Sequence, residues 1–498
     1  MHIYAYFIKF LVFGQSSFPH VILLPTMSAE TTRALAHNTL LQMGGKAVAM
    51  VLGVATVSVM LHYFGDEGYG EFITAVTFLS LFAVVVDFGL TLITIQMISE
   101  PGADESKILG NLLSLRLITG LVVFSAAPLV GLLFPYSAEI KLAIAVGSVA
   151  YLFQTMGQML VGVYQKRLKM TGVVIAELVA RASLLAGMLL VVYFAADLFD
   201  AMIALVVSNV AQALLLLILA NHFIRFRARI DLKIWKEIIH RAWPIGVSIF
   251  FNLIYLRGDI ILLSLMRTQA EVGQYGGAYK VIDVVTTLPV MFMGLALPIL
   301  VKAWKGRDRT TFEETMQKAF NFFSMIAVPL AVGSFALATP LMVLVGGEQF
   351  GSAGPILAIL SPAAAVVFYG ALFGHAVVAV EKQRTMVIGY ALTAAVSVGA
   401  YVILIPIFGT LGAAWVTLIS ETIVALLTAI VVYRASRFRL RLTVLSKVVA
   451  ASMVMYLFLM ASGSFHVIPQ VVLGSLVYLV VLVALGGVTP KSLRALFV

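Results

Sequence analysis

Cysteine is absent from this chain of 498 residues, so disulfides, thiolate metal sites and cysteine nucleophiles are excluded together. Charge is nearly as scarce. Only 11% of residues are charged while 61% are hydrophobic, and mean hydropathy is +1.05, a balance foreign to water-soluble domains. The eight His are scattered singly, and no Gly-x-x-x-x-Gly-Lys, His-Glu-x-x-His or Gly-x-Ser-x-Gly motif occurs. Metal-dependent and nucleophilic catalysis therefore lack candidates, and no cofactor is implied. No loop is longer than about twenty residues, which leaves no room for a nucleotide-binding or glycosyltransferase domain outside the membrane. Function must reside in the apolar part of the chain.

That part consists of long uncharged runs such as Ile203 to Leu219. Alternating polarity over ~10 residues, the mark of a transmembrane barrel, is missing, so the spans are helices. About fourteen runs reach the ~20 apolar residues that a ~30 Å hydrocarbon core requires. With the N-terminus inside, 26 of the 33 Lys and Arg fall in inner loops and tails. Two, Lys141 and Arg267, fall outside, and five lie within spans. This asymmetry predicts an N-in, C-in, multi-pass protein of the cell membrane, and it accounts for the net charge of +10 without nucleic acid.

Residues 1–37 read as a cytoplasmic segment in which Met1 to Pro25 is an over-extended start and Met27 the alternative beginning. An N-lobe of helices 1 to 6 follows over 38–226, then a cytoplasmic amphipathic linker over 227–242 and a C-lobe of helices 7 to 12 over 243–434. A basic loop (435–442), helices 13 and 14 (443–487) and a cytoplasmic tail (488–498) complete the chain. Lys302 to Lys318, like Arg225 to Arg241, has the pattern of an amphipathic helix lying on the inner leaflet. Phe64-Gly65-Asp66-Glu67-Gly68-Tyr69-Gly70 closes helix 1 and Ala270 to Gly276 closes helix 7; Val206 to Asn209 in helix 6 matches Leu418 to Glu421 in helix 12. The lobes are thus expected to be parallel pseudo-symmetric repeats, a transporter arrangement.

Charges inside spans are the informative residues. Lys46, Arg116, Arg181, Arg257 and Lys280 face Asp87, Glu177, Asp259, Asp283 and Glu421. Each would cost ~2.5–3.5 kcal/mol at the bilayer centre, so they must face water or one another. Spacing pairs Glu177 with Arg181 and Lys280 with Asp283. Counting ~1.5 Å per residue places Lys46, Arg116 and Arg181 ~12–14 Å from the inner end and Arg257 ~20 Å. Buried ion pairing and a cationic cavity both fit, with the five acids as candidates for ion coupling. Asn111, Ser114, Gln154, Gln158, Asn209, Asn252, Tyr255 and Tyr369 could bind sugar hydroxyls or join helices. His375 reads as a helix-packing residue.

The run Phe64-Gly65-x-x-x-Tyr69-Gly70-x-Phe72, then Asp87-Phe88-Gly89-Leu90, then Arg257-Gly258-Asp259 and Gly273-x-Tyr275, resembles the polysaccharide (lipid-linked oligosaccharide) flippases of the multidrug/oligosaccharidyl-lipid/polysaccharide exporter superfamily. The resemblance runs from about Asn38 to Gly487. It implies two six-helix lobes around a central cavity, helices 13 and 14 appended, and outward movement of undecaprenyl-diphosphate-linked sugars. The implied partners are the lipid-linked substrate, membrane lipids, and the polymerase and glycosyltransferases of the same polysaccharide. Drug/cation antiporters share the superfamily but usually have twelve helices, which the extra pair opposes. A glycan polymerase or ligase would need sizeable outer loops bearing Arg, His or acidic groups, and the outer loops here are short.

Overall fold

The computed structural model describes residues 29–98, 102–167, 169–220, 228–463 and 466–487. Met1 to Pro25, Arg225, Arg227 and the tail with Lys491 and Arg494 fall outside them, as do the side chains of Asn252 and Tyr255. Every regular element among the described residues is helical. In chain order they are α1 (Ala29–Asp87), α2 (Leu90–Ile98), α3 (Glu105–Leu132), α4 (Ala138–Arg167), α5 (Thr171–Tyr193), α6 (Leu198–Ala220) and α7 (Leu232–Met266), followed by α8 (Gln269–Lys305), α9 (Arg309–Ala336), α10 (Ala338–Gly346), α11 (Gly354–Ala379), α12 (Gln383–Ser436), α13 (Thr443–Ala461) and α14 (Val467–Ala484).

Eleven of these are long and apolar enough to cross a membrane. Two do so twice. The apolar stretch Gly44–Asp87 of α1 has 44 residues, which as a straight rod would reach ~66 Å, about twice the hydrocarbon thickness. It breaks at Gly65, whose φ of 69° belongs to the left-handed region that glycine enters without strain. In α12, Gly409 does the same with φ 59°. Counting both arms of α1 and α12, and the 35-residue α7, gives the fourteen spans that the sequence predicts.

The chain divides into two compact units, 1–273 and 274–498. In the first, α4 packs against α3 and α6, and α5 against α6 and α1. Contacts sort its helix ends into two layers. Tyr63 with the Ala196 carbonyl (2.8 Å), Thr74 with Gln269 (2.8 Å) and Ser137 with Glu71 (3.2 Å) form one layer, on the side read as outer. Arg167 with Glu105 (3.0 Å) and Lys107 with Asp231 (3.3 Å) form the other, on the basic, inner side. The second unit places α11 against α9 and α12, and seats α13 on α9 with α14 on α13. Lys305 with Glu381 (3.7 Å) and Gln317 with Arg441 (2.9 Å) tie its basic ends.

Three local readings of the sequence are corrected here. Residues 232–241 continue directly into α7, where Ile238 and Ala242 are buried and Ile234 and Trp235 pack on Leu90, Ile93 and Leu112. Likewise Phe312 and Met316 are buried in the apolar core of the second unit. An apolar stripe at helical spacing suits a protein core as well as a lipid surface; Phe312 and Met316 meet protein, as do Ile234, Trp235 and Ile238, while Leu232 and Ile239 stay exposed. Finally, Gly273 and Gly276 do not close a helix, since the break falls at Arg267 and Thr268 and α8 already runs through them. Tyr69 and Tyr275 both lie a few residues past a helix break and both are buried.

Candidate functional site

The Asp87-Phe88-Gly89-Leu90 motif divides α1 from α2. Phe88 (φ 35°) and Gly89 (φ 79°) both adopt left-handed backbone there. The Phe88 ring lies against Gly246 of α7, where an added Cβ would come within 2.4 Å of it. Leu90 enters the core. Asp87 receives the Arg116 guanidinium from α3, and Thr91 donates to the same carboxylate oxygen at 2.6 Å. Both terminal nitrogens of Arg116 also reach Thr91 Oγ1, at 3.1 and 3.2 Å. The Arg116 side chain is 0% exposed and its Nε has no hydrogen-bond partner among the described residues. A guanidinium without exposed surface touches no ligand in this conformation. Thr91, four residues beyond Asp87 on the next helix, was not singled out from sequence.

Lys46 and Glu177 form a second pair of different character. The ammonium contacts both carboxylate oxygens, at 2.6 and 2.8 Å, and the side chains are 48% and 20% exposed. Lys46 therefore takes the carboxylate that spacing had assigned to Arg181. Arg181 is left exposed, with no ion pair or hydrogen bond to its guanidinium among the described residues. It lies ten residues into α5, roughly 15 Å along the helix. Ile175, Val179 and Leu190 are exposed on the far side of α5, roughly 120–180° around the helix from Arg181. Glu177 and the buried Met188 share the face of Arg181. Within about two turns on either side the guanidinium thus shares its face with the Lys46–Glu177 pair, while further along Leu189 and Val192 are exposed nearer to that face.

Higher in the same unit, Arg257 lies within electrostatic range of Tyr151, whose hydroxyl donates to the Val76 carbonyl at 2.8 Å. Asp259 is buried and accepts the Ile260 N–H at 2.8 Å. In the second unit Lys280 and Asp283 stand 3.6 Å apart on one face of α8, both partly exposed. Glu421 lies in the second arm of α12. The Tyr369 hydroxyl donates to Ser324 at 3.1 Å, and His375 bonds the Ala371 carbonyl at 2.7 Å through Nδ1. Six of the ten intramembrane charges therefore stand in three local pairs, Lys46 with Glu177, Arg116 with Asp87 and Lys280 with Asp283, and no set of three or more His, Asp or Glu among the described residues could hold a metal ion.

At the inner rim of the first unit, Asn111 is fully buried and accepts the Asp231 N–H at 2.6 Å, while the Arg229 N–H donates to the Gly110 carbonyl. Asp231 caps α7 through the Lys233 N–H and meets Lys107. Hydrogen bonding from Lys107 is the main cause that holds its carboxyl below the usual range. The segment before α7 is thus latched onto α3, and Asn111 is a helix-joining residue.

A profile described as "Polysaccharide biosynthesis protein" matches residues 35–304. The succinoglycan biosynthesis transport protein ExoT of Rhizobium meliloti (strain 1021) is 24% identical over 353 residues, covering 68% of this chain and 67% of that protein. Among solved structures, a lipid II flippase MurJ in an inward closed conformation superimposes with TM-score 0.73 at 15% identity, covering 89% of this chain and 97% of that one. An inward-facing multidrug resistance MATE transporter of the MOP superfamily gives TM-score 0.64 at 13% identity, covering 80% and 98%. These likenesses fix the fold as that of the superfamily.

Proposed function

The chain belongs to the polysaccharide biosynthesis protein family, and on that premise we propose that it is a flippase carrying polyprenyl-diphosphate-linked oligosaccharide outward across the cell membrane by alternating access. Arg181 is the observation that carries the reading. An exposed guanidinium with no ion pair or hydrogen bond among the described residues, at mid-depth in a helix of lipid-spanning length and on the face of the Lys46–Glu177 pair, needs water or an anion beside it. A diphosphate is such an anion, and a planar guanidinium binds its oxygens in bidentate fashion. Lys46 is the neighbouring contact, released when substrate displaces Glu177. Arg257 and Lys280, in the outer half, serve the headgroup later in the cycle, and Asp259, Asp283 and Glu421 are the acids available for ion exchange. Arg116 and Asp87 hold α3 to the α1–α2 bend.

No bond is made or broken in this process, and the likeness to a succinoglycan transport protein supports a translocator over a polymerase. A membrane negative inside already favours exit of a negative headgroup by ~2.3 kcal/mol per charge per 100 mV. Drug antiport is the second reading, favoured only by a shared fold. The deciding experiment reconstitutes the purified protein in proteoliposomes with polyprenyl-diphosphate oligosaccharide in the outer leaflet or in both, and follows its translocation. Movement that is lost in Arg181→Gln, with unfolding temperature unchanged, is the expected result. Translocation unaffected by that change, or efflux of cationic drugs in its place, would overturn the proposal.

A further inference from the structure

Three basic helix ends of the second unit, those of α8, α9 and α12, meet around a pocket of about 340 Å³ lined by Trp304, Arg307, Asp308, Arg309, Phe312 and Ser436. We propose that this pocket binds the phosphate headgroup of an acidic phospholipid of the inner leaflet, with Arg307 and Arg309 on the phosphate and the partly exposed Trp304, backed by the buried Phe312, beside the acyl attachment. This site is independent of the transported substrate.

Its walls have two characters. Trp304 and Phe312 pack ring to ring at 5.4 Å and supply an apolar floor. Arg307 sits at φ 55°, a conformation that a branched-off side chain avoids, and the turn is fixed by its N–H to the Trp304 carbonyl (3.1 Å) and the Asp308 N–H to the Ala303 carbonyl (2.9 Å). The Arg307 guanidinium is exposed and makes no hydrogen bond or ion pair among the described residues. Arg309 gives its Nε to Glu313 at 2.6 Å, which leaves the terminal nitrogens of an exposed side chain for a second acceptor. Asp308 is the one acid in the lining, and its carboxylate is occupied in capping α9 through the Thr311 N–H at 3.0 Å. It therefore closes the helix end to anions and leaves anion binding to the two arginines. Lys302 and Arg434, both exposed on the same helix ends, add positive charge.

The pocket lies where α8 stops and α9 starts, at the level of the inner headgroups on the topology above. A soluble anion would need only the arginines. Aromatic rings beside them, an arrangement typical of membrane interfaces, select an amphiphile.

The test uses the full-length protein in phosphatidylcholine nanodiscs or mild detergent, titrated with short-chain phosphatidylglycerol and read by thermal unfolding and native mass spectrometry. Phosphatidylglycerol should raise the unfolding temperature and remain bound, and phosphatidylcholine should do neither. Arg307→Gln should weaken binding about fivefold, the effect of one basic residue against an anionic lipid, and the Arg307→Gln/Arg309→Gln pair should weaken it further. Arg437→Gln, outside the pocket, should bind as wild type. Ser436→Leu, which fills the pocket and keeps both arginines, should also lose binding and covers the case in which the arginine variants misfold. An equal response to inorganic phosphate would assign the site to a soluble anion and overturn the proposal. So would equal losses in Arg437→Gln, or full binding by Ser436→Leu.

Discussion

Replacing Arg116 with methionine leaves the Asp87 carboxylate with Thr91 as its remaining described hydrogen-bond donor, beneath a side chain that had no exposed surface. Breaking one partner of a buried ion pair costs ~3–5 kcal/mol, because the surviving charge has lost its compensation and cannot regain water. The geometry places the loss in the lower part of that range, since the Asp87 side chain is 16% exposed and keeps the Thr91 hydroxyl. Thr91→Val removes only the hydroxyl and should cost ~1–3 kcal/mol. The double change Asp87→Leu with Arg116→Met removes both charges and should recover most of the loss, as apolar replacement of buried pairs does elsewhere. Unfolding midpoints of the purified variants in detergent, together with abundance in the membrane, measure all three, and flippase activity per folded molecule is measured beside them. A normally stable Arg116→Met protein that has lost transport would refute the reasoning and return Arg116 to the substrate path.

Glu177→Gln should free Lys46 and tighten binding of the anionic headgroup by up to about fivefold, the weight of a partly exposed pair, whereas Lys46→Met should weaken it; loss of binding in both variants would mean that the pair only joins α1 to α5. At the start of α8, Gly273→Val places a Cβ 1.8 Å from the Asp66 carbonyl oxygen, so α1 and α8 must part by roughly 1.5 Å at a cost of ~1–3 kcal/mol, readable as a lower unfolding temperature. The depressed Asp231 carboxyl contributes stability that is present above the ordinary carboxylate value and is lost as pH falls through the folded one. Protection of the Arg229 and Asp231 amides, taken relative to intrinsic exchange at each pH, should therefore persist at neutral pH, fall in acid below the ordinary carboxylate range, and be lost throughout in Lys107→Met. Single cysteines at Glu67 and Glu348 should be labelled from outside and those at Arg229 and Arg437 should not.

The spans were legible in the sequence because length and hydropathy are one-dimensional quantities. The glycine break at Gly65 was legible for the same reason. What the sequence did not determine was the partner of each charge. Glu177 has Arg181 one turn away on its own helix, yet the ammonium of Lys46 comes to it from α1. Spacing reports neighbours along a helix, whereas α1 and α5 meet only in the folded unit. Residues 232–241 failed for a related reason: Ile234, Trp235 and Ile238 form a stripe that lipid and protein would accept alike, and only the proximity of α2 and α3 decides between them.

The division between buried and exposed pairs bears on energetics. In the first unit Arg116 is neutralised by Asp87 and Lys46 by Glu177, so of the three intramembrane cations nearest the inner end Arg181 is the one with no ion pair among the described residues. Its guanidinium is anchored to α5 and stays on the inner side of the field while a bound headgroup moves. The potential therefore acts on the full charge of the substrate, and the ~2.3 kcal/mol per charge per 100 mV is not reduced by a cation travelling with it. Were Arg116 exposed as well, two fixed cations would hold a diphosphate more tightly at the inner side and that attraction would have to be repaid before release. On the proposed function, one open cation beside one ion pair would give capture that a carboxylate can reverse, with Glu177 returning to Lys46 when the headgroup leaves.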